Sequence, residues 1–475
     1  MNTKEFLNNV CDNIKYKPAS KQIAEELKIH INEAKEENIY KGYSEKEAEE
    51  LAVSQMGDAK EIGKKLNKIH RPKLDWITLI LVIILIWLSG SYMGFLPSRF
   101  YSAFHEKNVL ELNDIMTAKV EGTIFSLAVL FAIGLYFFDY RKIGKHSKAL
   151  YIVATVLNVV AYFRGFRANG NLIYGLWPFT SVSPTIISIP LYIIAFAGFI
   201  KDIEIVNSNK RNIVKILSLS IISVITSLMI NFVSGFIITV VYVTILSREL
   251  IRRKNIKYSA ILITSSIIVF VLLSTIICII PTKWNYKNED LTSAYWVGID
   301  TIGERRINTI RKEIFKEAKM FGSADLEEKS YQDEQSYIYS IQGYFNTTGD
   351  FALLGYLSNY GWIASIGFAV LIIIFDIKLI ISVKKVKEQY GKILLIGFST
   401  FFIVQTIGNI AMNFGIIGVA EFKMPFFASG EVGILMNIIC ISLMLSIYRR
   451  KDINFEEPQK SKILVKFENY FFEEC

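Results

Sequence analysis

Cysteine and histidine are scarce in this 475-residue chain, which contains four of each. The cysteines, at positions 11, 278, 440 and 475, have no Cys-x-x-Cys spacing, and the histidines are equally dispersed. Because a disulfide framework and a structural metal site both need paired or clustered ligands, the sequence predicts neither. Residues 1–74 are polar with helical spacing, so no cleavable signal peptide is expected there.

Long apolar runs dominate the rest of the chain. Hydrophobic residues make up 52% and aromatic residues 13% of the sequence, which is too apolar for an ordinary soluble protein. Since about 20 apolar residues span a bilayer as a helix, we predict an all-α polytopic membrane protein with about ten spans. They lie near 76–97, 120–138, 149–163, 182–200, 212–230, 232–247, 258–281, 351–382, 392–417 and 431–448.

Lysine and arginine are concentrated in alternate connections between these runs, as is typical of cytoplasmic loops. The basic groups lie at 141–148, 201–211, 248–254, 384–387 and 449–451. Merging the fifth and sixth runs, which separate at Asn231 to Gly235, would move the later groups outside. We therefore predict a multi-pass protein with both termini in the cytoplasm. Orientation in the membrane explains the net charge of +9 without any nucleic acid partner.

Residues 1–74 are predicted to form a small cytoplasmic helical domain ahead of the membrane domain 75–450 and a tail 451–475. Ala24, Leu27, Ile31 and Ala34 recur on one helix face, and Ser44 with Glu47 reads as a capping box. A bundle of three or four helices follows. The stretch from Met56 to Gly63 and the ending Leu66 to Pro72 resemble the permease prefix domain, which implies a regulatory or docking module; a folded spacer is the alternative.

Asp350 is an acid at the start of the eighth apolar run, after the longest polar connection, about 282–350. An Asp at the bilayer centre costs about 2.5–3.5 kcal/mol, so ionisable groups near the apolar core usually face a cavity or a partner. The alternative is that Asp350 caps the following helix. Within the connection, Ile307 to Met320 is expected to lie along the membrane surface with Lys312, Lys316 and Lys319 on its polar side.

Several short motifs follow one another in a recognisable order. These are Asn169-Gly170 with Pro184-Thr185, Asp350-Phe351 with Gly361 eleven residues after the acid, the stretch Gln405 to Gly415, and Pro425 to Gly430. Together they resemble the SEDS family of membrane glycosyltransferases from about residue 75 onward. The departures are that the family's paired glutamates fall on Ser358-Asn359, a third glutamate falls on Ile186, an Arg-Trp falls on Ile173-Tyr174, and a glycine is replaced by Glu431.

The resemblance implies a ten-helix fold and a peptidoglycan glycosyltransferase that polymerises lipid II at the outer face of the bacterial cytoplasmic membrane. It places the catalytic acid at Asp350, which would act as general base, a role worth about a hundred- to ten-thousand-fold in rate. A class B penicillin-binding protein is the implied partner. Cell elongation, division and sporulation are equally open as settings.

The leaving diphosphate needs positive charge or a divalent ion. The candidates for binding diphosphate or sugar are Arg164, Arg167, Asn169, Asn409, Ser429 and Glu431. The two arginines suit phosphate, although they would equally reach lipid headgroups, and Glu431 either tunes Asp350 or caps the tenth span. Mg²⁺ or Mn²⁺ is chemically plausible, but no acidic cluster indicates a site for it.

Two other functions fit the same sequence. The chain could be a transporter of a lipid-linked precursor, although the apolar segments are expected to carry almost no ionisable residue besides Asp350. It could also be a non-catalytic scaffold or regulator of cell-wall synthesis, which the loss of the paired glutamates favours.

Overall fold

The computed structural model describes residues 1–70, 72–89, 130–168, 171–176, 179–202, 210–252, 301–324, 349–418, 420, 422–427 and 431–452. Its contacts divide the chain into two units. Unit 1 comprises Met1–Leu74, Lys385–Glu388 and the chain from Tyr448, and unit 2 comprises Asp75–Lys384 and Gln389–Ile447.

Unit 1 contains a group of four helices: α1 Thr3–Asp12, α2 Lys17–Tyr40, α3 Glu45–Met56 and α4 Ala59–His70. Apolar side chains of all four meet in one core, which includes Phe6, Val10, Ile23, Ile31, Val53 and Ala59. The predicted capping box is confirmed, since Ser44 and Glu47 each accept a hydrogen bond from the other's backbone N–H. Arg450 also belongs to this unit, and its Nε donates to the Tyr16 hydroxyl at 3.1 Å.

Unit 2 holds the remaining helices of the described chain, most of which are apolar. In chain order they are α5 Trp76–Ser89, α6 130–137, α7 Tyr140–Gly144, α8 Ser147–Arg164, α9 Thr185–Asp202, α10 Lys210–Leu228, α11 Phe232–Arg252, α12 Thr301–Glu317, α13 Ala352–Tyr360, α14 Trp362–Lys385, α15 Gln389–Asn413 and α16 Glu431–Arg449. By length and composition, α11, α14, α15 and nearly all of α16 can cross a membrane. Helices lie in nine of the ten predicted spans, over the parts of them that the structure describes, and the seventh, 258–281, lies outside the described residues.

A short β-hairpin region between α8 and α9 is the one element type that the sequence analysis did not predict. Strands β1 Phe166–Ala168, β2 Asn171–Leu176 and β3 Phe179–Val182 pair antiparallel in that order. Ala168 pairs with Asn171, and the intervening sequence Asn169-Gly170 is typical of two-residue hairpins. The predominantly helical class is otherwise confirmed.

The eighth predicted span, 351–382, is wrong as a single helix. It divides at Gly361 into the short α13 and the long α14. Gly361 has a φ of 87°, and a Cβ added there would lie 2.6 Å from the Lys319 carbonyl oxygen. The backbone of 319–324 bonds to both sides of this break, with Trp362 N donating to Lys319 O at 3.0 Å and Ala324 N to Ser358 O at 2.8 Å. These bonds satisfy backbone groups that the interruption leaves without helical partners.

Replacing Gly361 by Ala should therefore destabilise the protein, by about 1–3 kcal/mol from the left-handed backbone alone. The melting temperature of the purified full chain measures this. Gly367→Ala is the matched control, because a Cβ there meets nothing within 4 Å. We expect it to be neutral or stabilising, since Ala favours a helix interior. Equal melting temperatures for the two variants would contradict a structural role for the break.

Helix α12 buries its apolar face against protein, and its position relative to the membrane surface stays a prediction. Ile307, Ile310 and Ile314 pack in one cluster with Phe351, Leu354, Leu357 and Met412. Arg311, which is 6% exposed, donates from Nη2 to the Met412 carbonyl at 2.9 Å near the end of α15. Lys312, Lys316 and Lys319 are exposed, as predicted. The apolar face of α12 thus covers α13 and the end of α15.

The expectation that the spans hold almost no ionisable group besides Asp350 is wrong for α14. Lys378 is buried there and its Nζ lies 2.6 Å from Asp75 Oδ2, which also accepts bonds from Thr78 and Ser382. This network joins the start of α5 to α14. Asp376, also buried in α14, has an Oδ1 with no hydrogen-bond partner among the described residues.

Candidate functional site

Asp350 lies in a single 3₁₀ turn, Gly349–Phe351, directly before α13. Its side chain is 21% exposed, and its Oδ2 is 3.4 Å from Lys423 Nζ. Its Oδ1 is buried and receives no hydrogen bond from the part of the chain that the structure describes. An ionised carboxylate accepts several hydrogen bonds, so Oδ1 can accept a hydrogen bond from a bound group.

The alternative that Asp350 caps α13 is wrong. The N-cap residue is Phe351, and no side chain at that position makes a capping bond. Instead, Asn413 of α15 accepts a bond from Leu354 N at 3.2 Å through its Oδ1. Leu354 N is one of the N–H groups that lack partners at a helix start. A residue 59 positions away therefore replaces the local cap, which leaves the Asp350 carboxylate available for other contacts.

Two asparagines one turn apart on α15 hold the backbone of this turn. Asn409 Nδ2 donates to the Asp350 carbonyl at 2.8 Å, and Asn413 Nδ2 donates to the same oxygen at 3.0 Å. The two side chains also bond to each other, with Asn413 Nδ2 at 2.9 Å from Asn409 Oδ1. Both are buried, with exposures of 0% and 1%. The position of Asp350 is thus determined by the buried last turn of α15.

Asn409 also holds the segment that carries the lysine. Its Nδ2 donates to the Phe422 carbonyl at 2.6 Å, one residue before Lys423. Helix α15 and the lysine segment approach each other closely here, because a Cβ at Gly408 would lie 2.2 Å from the Phe422 ring. One buried amide therefore links the acid and its cationic partner through their backbones.

The lysine segment is under local strain. Phe426 has a φ of 67°, which is unusual for a bulky residue and costs about 1–3 kcal/mol. Its ring is buried, with centroids 5.6 Å from Phe375 and 6.2 Å from Phe402, and its carbonyl accepts a bond from Ser89 Oγ at 2.7 Å. Packing on three helices thus holds the segment in this conformation.

Lys423 also lines a cavity. Twelve described residues line it, from α9, α11, α15 and α16 together with the lysine. The space that water-sized groups can occupy is about 40 Å³. Its polar lining comprises Lys423, Thr185, Ser234, Gln405 and Asn437. Asp350 is not in the lining, so Lys423 is the residue that connects the acid to the cavity.

The structure does not bring all the predicted site residues together. Asp350 and Asn409 come together, but Asn409 is completely buried and bonded on both sides of its amide, so it positions the site and does not reach a ligand. Arg164 is exposed in the last turn of α8 and makes no ion pair to other described residues. Arg167 lies in β1 and Glu431 begins α16, with their side chains outside the described part. Asn169 and Ser429 also lie outside the described residues.

Sequence reasoning missed Lys423 and Asn413. Lys423 had a usable signal, because a lysine between the ninth and tenth runs stands on the side where basic residues are not expected. Asn413 is four residues after Asn409 on the same helix face, within a motif that the sequence analysis did identify.

The donor set beside Asp350 does not suit a divalent ion. Mg²⁺ and Mn²⁺ favour several oxygen ligands, commonly from more than one carboxylate. Here the charged neighbour is a lysine, and the described residues contain no group of three or more His, Cys, Asp or Glu side chains.

No family model and no curated protein matches this chain. Its fold does match solved structures. A chain of a peptidoglycan synthase complex, in which polymerization and crosslinking are structurally coordinated, aligns with a TM-score of 0.57 and 16% identity over 80% of this chain and 98% of that one. The Thermus thermophilus rod shape determining protein RodA aligns with a TM-score of 0.51 and 14% identity, over 80% and 97%. A variant of that RodA with one aspartate changed to alanine gives 0.53 and 14%, over 80% and 98%.

The chain therefore has the fold of RodA, and it is a multi-pass membrane protein. The likeness to SEDS proteins that the sequence predicts is confirmed at the level of the fold.

Proposed function

We propose that this chain, which has the RodA fold, is a peptidoglycan glycosyltransferase that polymerises lipid II with Asp350 as general base. One observation carries the proposal. The carboxylate has a buried oxygen without a described hydrogen-bond donor, beside a lysine that lines a cavity in the helical bundle. Ionisable groups near the apolar core of a membrane protein usually serve a ligand or a proton transfer.

The reaction needs one proton acceptor and stabilisation of one leaving group. Asp350 Oδ1 takes the proton from the acceptor sugar hydroxyl as that oxygen forms the new bond to the donor's anomeric carbon. The bond from this carbon to the diphosphate breaks, and its electron pair leaves with the lipid-linked diphosphate. A positioned base supplies about a hundred- to ten-thousand-fold of the rate. The backbone bonds from Asn409 and Asn413 provide that positioning.

The same proposal includes orientation and a partner. The basic groups at 141–148, 384–387 and 449–451 favour cytoplasmic termini, which puts Asp350 towards the outer face. The similar chain from a peptidoglycan synthase complex supports partnership with a penicillin-binding protein that crosslinks the product.

A polymerisation assay tests the function. The purified full chain, alone and with a class B penicillin-binding protein, is incubated with labelled lipid II, and glycan strands are separated by gel electrophoresis. We expect strands longer than the starting disaccharide. A transporter would move labelled lipid II across a vesicle membrane without extending its glycan. A scaffold would bind the penicillin-binding protein and yield no strands, and either result would overturn the proposal.

A further inference from the structure

Helix α4 carries an excess of positive charge. Its twelve residues include four lysines and one acid, which gives a formal charge of +3 with histidine neutral. Helix α3, also twelve residues long, has one lysine and four glutamates and therefore −3. The charge of the four-helix group is thus separated onto two of its helices. The lysines of α4 are all exposed, and we call them the basic face: Lys60, Lys64, Lys65 and Lys68.

The apolar side of α4 is covered by protein. Ala59 is buried, and Ile62 and Leu66 pack against the core of unit 1. A Cβ added at Gly63 would lie 2.7 Å from Asn13 Cβ, so α4 approaches the end of α1 closely. Because this side faces the bundle, the exposed side of α4 acts on partners through charge.

The lysines of the basic face are available to an anionic partner. Lys65 pairs with Glu61 at 2.8 Å, but both side chains are exposed, and such pairs contribute little to stability. The other three lysines make no ion pair with the part of the chain that the structure describes. Lys60, Lys64 and Lys68 follow one another at four-residue spacing, so they repel one another on the helix surface. A surface of negative charge would offset that repulsion.

The end of α4 is close to the end of a helix that can cross a membrane. Lys73, three residues after α4 ends at His70, donates from its backbone N to the Arg449 carbonyl at 3.1 Å. Arg449 is the last residue of α16, and all three residues belong to unit 1. Because three residues extend at most about 11 Å, the last residue of α4 lies within that distance of Lys73.

A second contact in unit 1 leads to the same place. Lys15 N donates to the side-chain oxygen of Asn67, in the last turn of α4, at 3.1 Å. The residue after Lys15 is Tyr16, whose hydroxyl accepts a hydrogen bond from Arg450 Nε at 3.1 Å, directly after α16 ends. Two connections therefore hold the last turn of α4 near the end of α16.

We propose that the basic face binds the anionic headgroups of the membrane leaflet in which α16 ends, and that it holds the four-helix group against the lipid surface. Ammonium groups donate hydrogen bonds to phosphate oxygens, and they attract anionic lipid over a Debye length, about 8 Å at physiological ionic strength. An acidic protein would be attracted by the same charges, but the contacts at Lys73 and Tyr16 keep the end of α4 beside lipid at all times. With the cytoplasmic termini proposed above, this leaflet is the cytoplasmic one. The inference does not depend on the proposed activity, because all its residues lie in unit 1.

Rates of lysine modification in two lipid environments test the inference. The full chain is reconstituted into nanodiscs of phosphatidylcholine alone, or of phosphatidylcholine and phosphatidylglycerol in equal parts. It is treated with a limiting amount of an acetylating reagent, and each lysine is followed by mass spectrometry. We expect Lys60, Lys64 and Lys68 to react about fivefold more slowly in the anionic discs. At about 1 M salt, where the Debye length is about 3 Å, this protection should disappear.

Two other exposed lysines are internal controls. Lys41 and Lys46 lie beside the end of α2 that is about 35 Å along the helix from Tyr16. Because this distance exceeds the Debye length several times over, they should react at equal rates in both kinds of disc.

Two double variants with the same change in charge separate the basic face from net charge. Lys60→Gln with Lys64→Gln should reduce the protection of Lys68 to less than about twofold, because half of the basic face is lost. Lys41→Gln with Lys46→Gln should leave the protection of Lys68 unchanged. Equal rates at Lys68 in both kinds of disc would overturn the inference and favour an acidic protein partner. Equal loss of protection in the two double variants would also overturn it, as would protection produced by inorganic phosphate in the neutral discs.

Discussion

Replacing Asp350 by Asn is expected to lower the rate of lipid II polymerisation about a hundredfold or more and to leave the protein folded. Asparagine has nearly the same shape, so it preserves the packing of the turn, but its amide cannot take a proton from a hydroxyl. The backbone carbonyl that Asn409 and Asn413 bind is unaffected by this change. Initial rates with labelled lipid II and the melting temperature, measured on the same preparation, separate lost chemistry from lost structure.

Asp139→Asn is the matched control for this experiment. Asp139 is also a partly exposed carboxylate in an ion pair, 2.6 Å from Arg141 Nη2, with a side-chain exposure of 25% against 21% for Asp350. It caps the short α7 and is not part of the Lys423 cavity. We expect it to polymerise lipid II like the wild type. An Asp350→Asn protein that is as active as this control would refute the general-base mechanism.

Replacing Asn409 by Leu should affect both stability and activity. The change leaves the Asp350 and Phe422 carbonyls without their shared donor, and each buried group left without its partner costs about 1–3 kcal/mol. Asn413 still donates to Asp350, so the larger loss falls on Phe422 and the lysine segment. We expect a lower melting temperature and a lower rate of lipid II polymerisation. Thermal unfolding and steady-state kinetics of the full chain measure these.

Asn359→Leu provides the comparison for that variant. Its Nδ2 donates to Gly355 O at 2.8 Å, within its own helix α13, and does not bond to Phe422 or to Asp350. It should therefore leave the rate of lipid II polymerisation unchanged, whatever it does to the melting temperature. If both asparagine variants were equally active and equally stable, the bonds from Asn409 to the Asp350 and Phe422 carbonyls would contribute nothing to the site.

Much of the fold could be predicted from the sequence because the determining patterns are local. Apolar runs of spanning length predict helices, and the fifth and sixth runs do separate where the chain turns before Phe232, with Ser234 N donating to Asn231 Oδ1 at 2.7 Å. The capping box at Ser44 requires residues three apart. The Asp-Phe motif with its glycine also proved informative, since Gly361 lies where α13 ends and a side chain would meet the Lys319 carbonyl.

The candidate site was predicted less completely, because its parts meet across long separations. The apolar run 351–382 has no feature that shows α13 and α14 as separate helices, apart from one glycine. The amphipathic pattern of α12 shows that one face is apolar, but the same pattern suits a membrane surface and a protein neighbour. Packing against Phe351 and Met412 supplies the protein neighbour, which no local pattern contains.

By itself, the sequence determined the membrane class, the approximate number of spans and the acid at position 350, because hydropathy, charge and motif spacing are properties of the chain alone. Only the tertiary structure decided what Asp350 contacts. A cap from Asn413, the bridge through Asn409 and the cation at Lys423 join residues 59 to 73 positions apart. Such bonds depend on which helices pack together, and no local pattern contains that information.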